Sequence, residues 1–309
     1  MGKSLKGNML LILASLLWGV SFVMQNKAGA VLSPFAINSI RSIIGSFVLI
    51  PVILIFSKKS GRPFFEKTKK ERKDLLLAGV LCGVFLCIAT NFQQFGIILY
   101  PEEAAASGRS GFITALYVVL VPVFGIFMKK RVGFTVWIGV FLAVIGMCLL
   151  CMSGGIGNIY IGDLIVFCCT FAFTMQIICI DKFADRVDGI KLSSLQFLVC
   201  GIMSLIMMLI FEEPTLADVK LAAPYILYLG VVSCGTAYTL QIVGQQYSKN
   251  PTVASILMSL ESVFAAISGA IILGERFTLR ETLGCLIMFG AIIFAQLPTT
   301  VLKKKALCQ

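Results

Sequence analysis

Long apolar runs constrain this chain more than any other feature of its sequence. A helix needs about 20 mostly apolar residues to cross the hydrocarbon core of a bilayer, and ten runs of about this length follow one another. Lipid offers no hydrogen bonds to the backbone, and no alternating barrel pattern is present, so each run is predicted to be a transmembrane helix. The ten predicted spans are 8–26, 34–56, 75–99, 103–127, 133–152, 161–181, 192–211, 222–245, 251–274 and 279–297.

Composition agrees with a membrane environment and argues against a soluble fold. Hydrophobic residues make up 58% of the chain and charged residues 13%, whereas soluble domains contain roughly 45–50% and about 25%. The net charge of +11 is confined to short stretches between the apolar runs. This distribution fits membrane topology better than nucleic-acid binding. We therefore expect the lipid bilayer as a partner and no nucleic acid.

Basic residues are divided unequally between the two predicted sides. An even number of spans with both termini in the cytoplasm places twenty Lys and Arg residues there, including the cluster from Lys58 to Lys73, against four on the other side. Such a bias agrees with the positive-inside rule. The sequence thus predicts a multi-pass protein of the cell membrane with both termini in the cytoplasm.

The two halves of the chain repeat each other. The first span, GNMLLILASLLWGVSFVMQNK, aligns with the sixth, GDLIVFCCTFAFTMQIICIDK, without a gap. TNFQQFG in the third span aligns with YTLQIVG in the eighth, and FITALYVV in the fourth aligns with ILMSLESV in the ninth. These alignments pair Gln93 with Gln241 and Tyr117 with Glu261.

The repeat predicts the architecture. Five spans per copy is an odd number, so the second copy enters the membrane from the opposite face. We predict an all-α integral membrane fold of ten transmembrane helices in two inverted five-helix repeats, 8–152 and 161–297. Inverted repeats are characteristic of secondary transporters, because a two-fold axis in the membrane plane lets one structure open alternately to either side.

Four motifs in this order resemble the EamA-type branch of the drug/metabolite transporter superfamily. They are LLWGVSFV at 16–23, SPFAINSIRSIIG at 33–45, GFITALYVVLVPVFG at 111–125 and SLESVFAAISGAIILGERFT at 259–278. The resemblance covers almost the whole chain. It implies a ten-helix bundle around a central polar cavity and export of amino acids or other metabolites without ATP hydrolysis. In this family a proline usually follows the glutamate of the ninth span, whereas here Ser262 follows Glu261, which weakens the expectation of a helix distortion there.

Glu261 is the foremost candidate for a functional residue within the spans. It lies ten residues into the ninth span, near the middle of the bilayer. A carboxylate at this depth costs about 2.5–3.5 kcal/mol on insertion scales, so it must face a wet cavity, pair with a cation or stay protonated. Substrate binding or proton coupling is one interpretation. A structural hydrogen bond to a neighbouring helix is the other.

Two arginines lie within the outer thirds of the second and fourth spans. Arg41 and Arg109 are candidates for binding an anionic group in a cavity. Long cationic side chains at this depth also reach the lipid headgroups by snorkelling. Snorkelling or bonding between helices is therefore the alternative for both residues.

Uncharged polar residues form pairs on single helix faces. Asn91 and Gln94 are three residues apart, and Gln241 and Gln245 are four apart, which places each pair on one face. Such a face either lines a path or joins helices. The repeat relates Gln93 to Gln241, which favours both as residues of a central cavity.

The remaining candidates for the cavity wall are Gln176 in the sixth span and the aromatic residues Trp18 and Tyr117. The aromatic rings provide apolar walls for a substrate, or they simply fill space between helices. Leaving aside Arg109 and Gln245, nine candidates are selected for the site, and they belong to spans 1, 2, 3, 4, 6, 8 and 9. The predicted cavity lies at the midplane between spans 1, 3, 4, 6, 8 and 9.

These observations predict a secondary transporter that exports small polar metabolites, such as amino acids, by alternating access. The chain has no GxxxxGK[ST] loop and no histidine, which argues against a built-in ATPase and a Ser-His triad. We expect no cofactor and no metal. A membrane-embedded enzyme acting on lipid-linked substrates, and the permease partner of a separate ATPase, are the competing classes. Substrate identity, the coupling mode and a homodimeric assembly stay open.

Overall fold

The computed structural model describes residues 3–60, 68–101, 104–127, 134–151, 160–248, 250–276 and 278–295. This part of the chain is helical throughout, apart from turns and short connections. The helices are α1 (Lys3–Gly29), α2 (Pro34–Ser60), α3 (Lys69–Ile98), α4 (Ala106–Thr114), α5 (Tyr117–Phe127), α6 (Phe134–Cys151), α7 (Ile161–Phe183), α8 (Gly189–Phe211), α9 (Leu216–Leu227), a π-helix (Tyr228–Ala237), α10 (Tyr238–Ser248), α11 (Pro251–Met258), α12 (Leu260–Ile272) and α13 (Leu279–Ala295).

These helices form ten spans. Eight segments of the described chain are long and apolar enough to cross a membrane. Among them, α4 with α5, α9 with the π-helix and α10, and α11 with α12 each make one span. The fifth and tenth spans are α6 and α13, which pack against each other. The all-helical membrane fold predicted from the sequence is thus confirmed.

Equivalent helices pack in equivalent ways at opposite faces of the bundle. A Cβ atom on Gly7, near the start of α1, would lie 2.8 Å from the carbonyl oxygen of Gly244 in α10. A Cβ atom on Gly162, at the start of α7, would lie 2.7 Å from the carbonyl oxygen of Gly96 in α3. The repeat relates Gly7 to Gly162 and Gly244 to Gly96. Because the two contacts lie at opposite ends of the bundle, the two copies are inverted.

A second pair of close contacts locates a difference between the copies. Gly83 in α3 packs against α8 at Gln196 and Val199, whereas Gly230 in the π-helix packs against α2 at the equivalent residues, Arg41 and Ile44. In the first copy, Gly83 lies thirteen positions before Gly96. In the second copy, Gly230 lies fourteen positions before Gly244. The eighth span therefore contains one extra residue. The π-helix accommodates it by widening the helix locally.

Both copies break a helix at the same place. The fourth span is interrupted at 115–116, between α4 and α5, and the ninth is interrupted at Ser259, between α11 and α12. The ninth span is thus distorted next to Glu261, although Ser262 stands where the family usually has proline. Serine hydroxyls supplement the backbone hydrogen bonds at this break. Ser259 Oγ donates to the Ile256 carbonyl at 2.8 Å, and Ser262 Oγ donates at 2.7 Å to the Ser259 carbonyl, which also accepts from the Ser262 backbone nitrogen at 3.2 Å. Such side-chain bonds help to satisfy backbone groups inside a membrane.

The two breaks and the π-helix determine where the polar residues lie. Tyr117 and Glu261 follow the two breaks directly, and Tyr238 follows the π-helix. α1 packs against α10 and α12, and its counterpart α7 packs against α3, α4 and α5. The space between these two groups of helices lies at the centre of the bundle.

Candidate functional site

A cavity lies at the centre of the bundle, between the two repeats. The space between its lining atoms is about 490 Å³, open solvent included. Spans 1, 3, 4, 6, 8 and 9 line it as predicted, and the second span contributes as well. The lining residues are Trp18, Ser21, Phe22, Gln25, Arg41, Gln93, Thr114, Tyr117, Phe173, Gln176, Ile177, Ser233, Tyr238, Gln241, Met258 and Glu261.

Seven of the nine residues selected from the sequence lie on this wall. The structure brings them together from seven spans that are distant in sequence: Glu261, Gln93, Gln241, Gln176, Arg41, Trp18 and Tyr117. The other two lie behind the wall. The amide of Asn91 accepts a hydrogen bond from Asn38 at 2.9 Å and donates to Ser204 at 3.0 Å. The amide of Gln94 donates to the Gln25 carbonyl at 3.0 Å, so both residues join helices rather than line the cavity.

The repeat also relates the lining residues to one another. Twelve of the sixteen form equivalent pairs, which means that the cavity lies on the pseudo-two-fold axis. The pairs are Trp18 with Phe173, Ser21 with Gln176, Phe22 with Ile177, Gln93 with Gln241, Thr114 with Met258, and Tyr117 with Glu261.

Charge does not follow this symmetry. The counterpart of Glu261 is Tyr117, and the counterpart of Arg41 is Gln196. Both charged residues of the cavity wall are nine-tenths or more buried, and neither forms an ion pair within the described part of the chain. Isolated charges are costly to bury. A bound molecule with complementary charges offsets this cost.

Glutamine side chains form hydrogen bonds that connect the helices of the cavity wall. Gln241 donates through Nε2 to Gln176 Oε1 at 3.3 Å, and Gln176 donates to Gln196 Oε1 at 3.2 Å. On the other side, Gln93 donates to Thr114 Oγ1 at 3.0 Å. The first chain connects α10 to α7 and α8, and the second connects α3 to α4. Small rearrangements of these amides are enough to expose polar atoms to a ligand.

Six buried polar atoms of lining residues form no hydrogen bond of good geometry among the described residues, although the Tyr117 and Glu261 side chains lie close enough to interact with each other. They include three groups with a hydrogen to donate and three carbonyl or carboxyl oxygens. These atoms are Trp18 Nε1, Arg41 Nε, Tyr117 OH, Gln25 Oε1, Gln241 Oε1 and Glu261 Oε1. A buried unsatisfied polar group is rare in folded proteins and needs a partner such as water or a ligand. Their convergence on one cavity indicates a site for a polar molecule.

Aromatic rings form the apolar part of the wall. Tyr238 contacts Trp18 edge-on with ring centroids 4.7 Å apart, and it contacts Phe197 edge-on at 5.0 Å. Edge-to-face pairs hold rings in fixed orientations. The Tyr238 ring is therefore held between α1 and α8, and Phe173 of α7, in the same copy as Tyr238, completes this part of the wall.

Arg109 does not reach the cavity. Its guanidinium donates through Nη2 to Asp163 Oδ2 at 2.7 Å and through Nε to Oδ1 at 3.3 Å. The Tyr100 hydroxyl donates to the same carboxylate at 2.7 Å. The interpretation as a bond between helices is the one that the structure supports. Asp163 was not singled out from the sequence, because it stands at the edge of the sixth span.

The sequence missed several lining residues, although it contained signals for some of them. Ser21, Phe22 and Gln25 follow Trp18 at helical spacing, so the face that carries Trp18 predicts them. Phe173 is the repeat equivalent of Trp18. Thr114, Ser233 and Tyr238 had no comparable signal, because their orientation depends on the helix break and on the π-helix.

Comparison with known proteins agrees with this architecture. A solved crystal structure superposes with a TM-score of 0.70 at 18% identity, covering 94% of this chain and 98% of that one. An uncharacterized transporter of Archaeoglobus fulgidus is 26% identical over 304 residues, which are 96% of this chain and 87% of that protein. The uncharacterized transporter YvbV of Bacillus subtilis is 23% identical, covering 97% of this chain and 94% of that protein.

The family model of the EamA-like transporters matches the chain twice. The two matches cover residues 5–152 and 160–296, so each contains one of the two inverted repeats. Together they include almost all of the described helices and every residue of the cavity wall. This chain belongs to the EamA-like transporter family.

Proposed function

We propose that this transporter carries small polar metabolites, amino acids among them, out of the cell by alternating access. The observation that supports the proposal best is the set of six unsatisfied polar atoms around one central cavity. Each needs a partner, and a polar solute supplies several at once. The position of the cavity on the pseudo-two-fold axis fits a mechanism in which the same site opens first to one face and then to the other.

The charges of the cavity favour a zwitterionic solute. Arg41 and the Trp18 indole nitrogen provide donors for a carboxylate, while Glu261 and the carbonyl oxygens of Gln25 and Gln241 accept from an ammonium group. The aromatic wall provides contact area for an apolar side chain. An α-amino acid has these three features within one small molecule. Its transport would be driven by a gradient or by exchange.

Removal of the cavity cation tests this assignment. We expect Arg41→Gln to raise the KM for amino acids about 10- to 100-fold, because a hydrogen bond to a charged group contributes roughly 1.5–3 kcal/mol. Glutamine is the residue at the equivalent position of the other repeat, Gln196, so the substitution suits the local packing. The measurement is uptake of a panel of labelled amino acids, amines and sugars into liposomes that contain the purified protein.

The panel also tests the proposed function itself. Uptake of no amino acid by the unmodified protein, with uptake of sugars or amines instead, would replace the zwitterionic solute by the class that is taken up. The control is Lys27→Gln, which removes a cation that lies over the Tyr225 ring outside the cavity. An equal change of KM in the control and in Arg41→Gln would remove Arg41 from the binding site.

The direction of the chain across the membrane is the second part of the proposal. The excess of basic residues supports placement of both termini and the Lys58–Lys73 segment in the cytoplasm. A reporter enzyme that is active only in the cytoplasm should therefore be active when fused after Gln309. If a reporter that works only outside the cytoplasm is active at the same fusion point, the topology is reversed. The side of the membrane assigned to each end of the cavity is then reversed as well.

A further inference from the structure

A second space lies between the central cavity and one face of the bundle. We call this face, on which α1, α3 and α12 end, the Glu275 face, and the space the vestibule. The vestibule has a volume of about 1340 Å³, including open solvent. Its wall consists of Asn26, Gly29, Ala30, Ile97, Ile98, Tyr100, Pro101, Ala104, Ala105, Ala106, Leu273, Gly274, Glu275 and Arg276.

Three apolar side chains separate the vestibule from the central cavity. Phe22 lines the cavity, Ile97 lines the vestibule, and both pack with Ala265 in one small cluster. All three are almost completely buried. A Cβ atom on Gly111 would lie 2.7 Å from Ala265 Cβ and 3.6 Å from Phe22 Cε2. Four helices, α1, α3, α4 and α12, therefore meet at this point without room for another methyl group.

We propose that Phe22, Ile97 and Ala265 form the gate through which the solute passes between the central cavity and the Glu275 face. The proposal rests on the transport function proposed above. Movement of any one of the three helices that carry these residues would open a path from the cavity to the vestibule, because Phe22 of the cavity wall packs directly on Ile97 of the vestibule wall in this cluster. Apolar side chains suit a gate, since a narrow apolar constriction closes by excluding water.

A carboxylate holds the gate helices together. Glu275 accepts hydrogen bonds from the backbone nitrogens of Ser107 at 3.1 Å and Gly108 at 3.3 Å. These bonds attach the end of α12, which carries Ala265, to the start of α4, which carries Gly111. Gly274 has a φ of +71°, a backbone conformation that glycine adopts without strain, and this turn directs Glu275 back toward Gly269. A Cβ atom at Gly269 would collide with the carboxylate.

Repeat symmetry extends the proposal to a second gate on the opposite side of the cavity. The positions equivalent to Phe22, Ile97 and Ala265 are Ile177, Gln245 and Val121. All three are buried, and Ile177 lines the cavity.

The two gates differ in polarity. Where the first has Ile97, the second has Gln245, whose side-chain oxygen and nitrogen both lack a hydrogen-bond partner in the described structure. Water satisfies this amide when the second gate opens, whereas the three side chains of the first gate carry no polar atom that water could satisfy. The second gate therefore opens at a lower cost. In the absence of solute we therefore expect the cavity to be open more often toward the opposite face, on which α1 begins, than toward the Glu275 face.

Fluorescence quenching of Trp18 tests the gates without any substrate. The chain contains two tryptophans, so Trp137→Phe leaves Trp18, on the cavity wall, as the one reporter. In purified Trp137→Phe protein, iodide ions in solution should quench Trp18 weakly. Adding Phe22→Ala or Ile97→Ala should raise the quenching constant severalfold, because each opens the layer between cavity and vestibule. Ile97→Ala removes less volume than Phe22→Ala and gives a second measurement if the larger change prevents folding.

A matched control distinguishes a gate from general loosening of the bundle. Phe112→Ala removes the same ring from α4, but Phe112 is buried in a separate cluster with Ala115 and Ala266. Quenching should stay unchanged in this control. The gate proposal is overturned if neither gate variant, correctly folded by gel filtration, raises quenching, or if Phe112→Ala raises it equally.

The inequality of the two gates has its own measurement. Gln245→Leu should lower the residual quenching of Trp18 in the Trp137→Phe protein, because it gives the second gate the apolar character of the first. Unchanged or increased quenching would refute the unequal opening of the gates. These results do not depend on transport. An inactive protein in the liposome assay would contradict the proposed function, whereas unaltered quenching in the gate variants would contradict only the gate.

Discussion

Replacing Asp163 with alanine should destabilise the protein by about 3–5 kcal/mol, the cost of leaving one charge of a buried ion pair without its partner. The Asp163 carboxylate accepts hydrogen bonds from Arg109, from the Tyr100 hydroxyl at 2.7 Å and from the Tyr160 backbone nitrogen at 2.9 Å. Its side chain is 8% exposed and that of Arg109 is 5% exposed. Alanine would leave the guanidinium buried beside the Tyr160 ring, whose centroid is 4.9 Å away.

The destabilisation should be visible as a lower midpoint of thermal unfolding for the purified protein in detergent. Asp218→Ala is a matched control. Asp163 and Asp218 occupy the same position of a capping box, the third residue of α7 and of α9, but Asp218 is only half-buried and its capping hydrogen bonds are exposed. Loss of a cap alone costs about 0.5–2 kcal/mol. The control should therefore show a smaller decrease.

The double variant Asp163→Leu with Arg109→Met separates the ion pair from its packing. Removing both charges of a buried pair is often neutral or stabilising. We expect the double variant to recover most of the stability that Asp163→Ala loses. An unfolding midpoint of Asp163→Ala equal to that of Asp218→Ala, or no recovery in the double variant, would show that the pair does not stabilise the contact between α4 and α7.

The repeat made the fold predictable from the sequence. The length of the apolar runs predicted the spans, because a backbone segment in lipid must form its hydrogen bonds within itself. The odd number of spans per copy gave the inversion. The break of the ninth span was not predictable from proline, since serine hydroxyls supply its hydrogen bonds. The extra residue of the eighth span was present in the sequence, but the π-helix that accommodates it depends on the contacts of Gly230 and Gly244 with neighbouring helices.

The candidate site was predictable in part. Burying Glu261, Arg41 and the glutamines in lipid costs free energy. This cost is enough to predict that such residues face a cavity. Asn91 and Gln94 are equally polar, but a helix contact satisfies them instead. Polarity shows that a residue needs a partner, whereas only packing shows whether the partner is another helix. Asp163 stands at the end of a span, where a charge has a low cost, so its pairing with Arg109 required the structure.

Glu261→Gln should abolish proton-driven accumulation of substrate while leaving exchange of substrate for substrate intact. A carboxyl group enclosed without a cationic partner is more stable with its proton, and it releases that proton when the cavity opens to water. If substrate and proton compete for this group, each transport cycle moves one substrate molecule in one direction and one proton in the other.

The measurement uses liposomes that are acidic inside and contain the purified protein. For one proton per substrate, a gradient of one pH unit supports about tenfold accumulation, since one unit corresponds to about 1.4 kcal/mol. Glutamine keeps the size and an oxygen of Glu261 but carries no exchangeable charge, so we expect the variant to equilibrate labelled substrate without concentrating it. Glu212→Gln is the control, because Glu212 caps the start of α2 through Phe35 and Ala36 outside the cavity. It should accumulate substrate like the unmodified protein. Equal dependence on the gradient in Glu261→Gln would mean that Glu261 only bonds neighbouring helices, and coupling would then belong to another group.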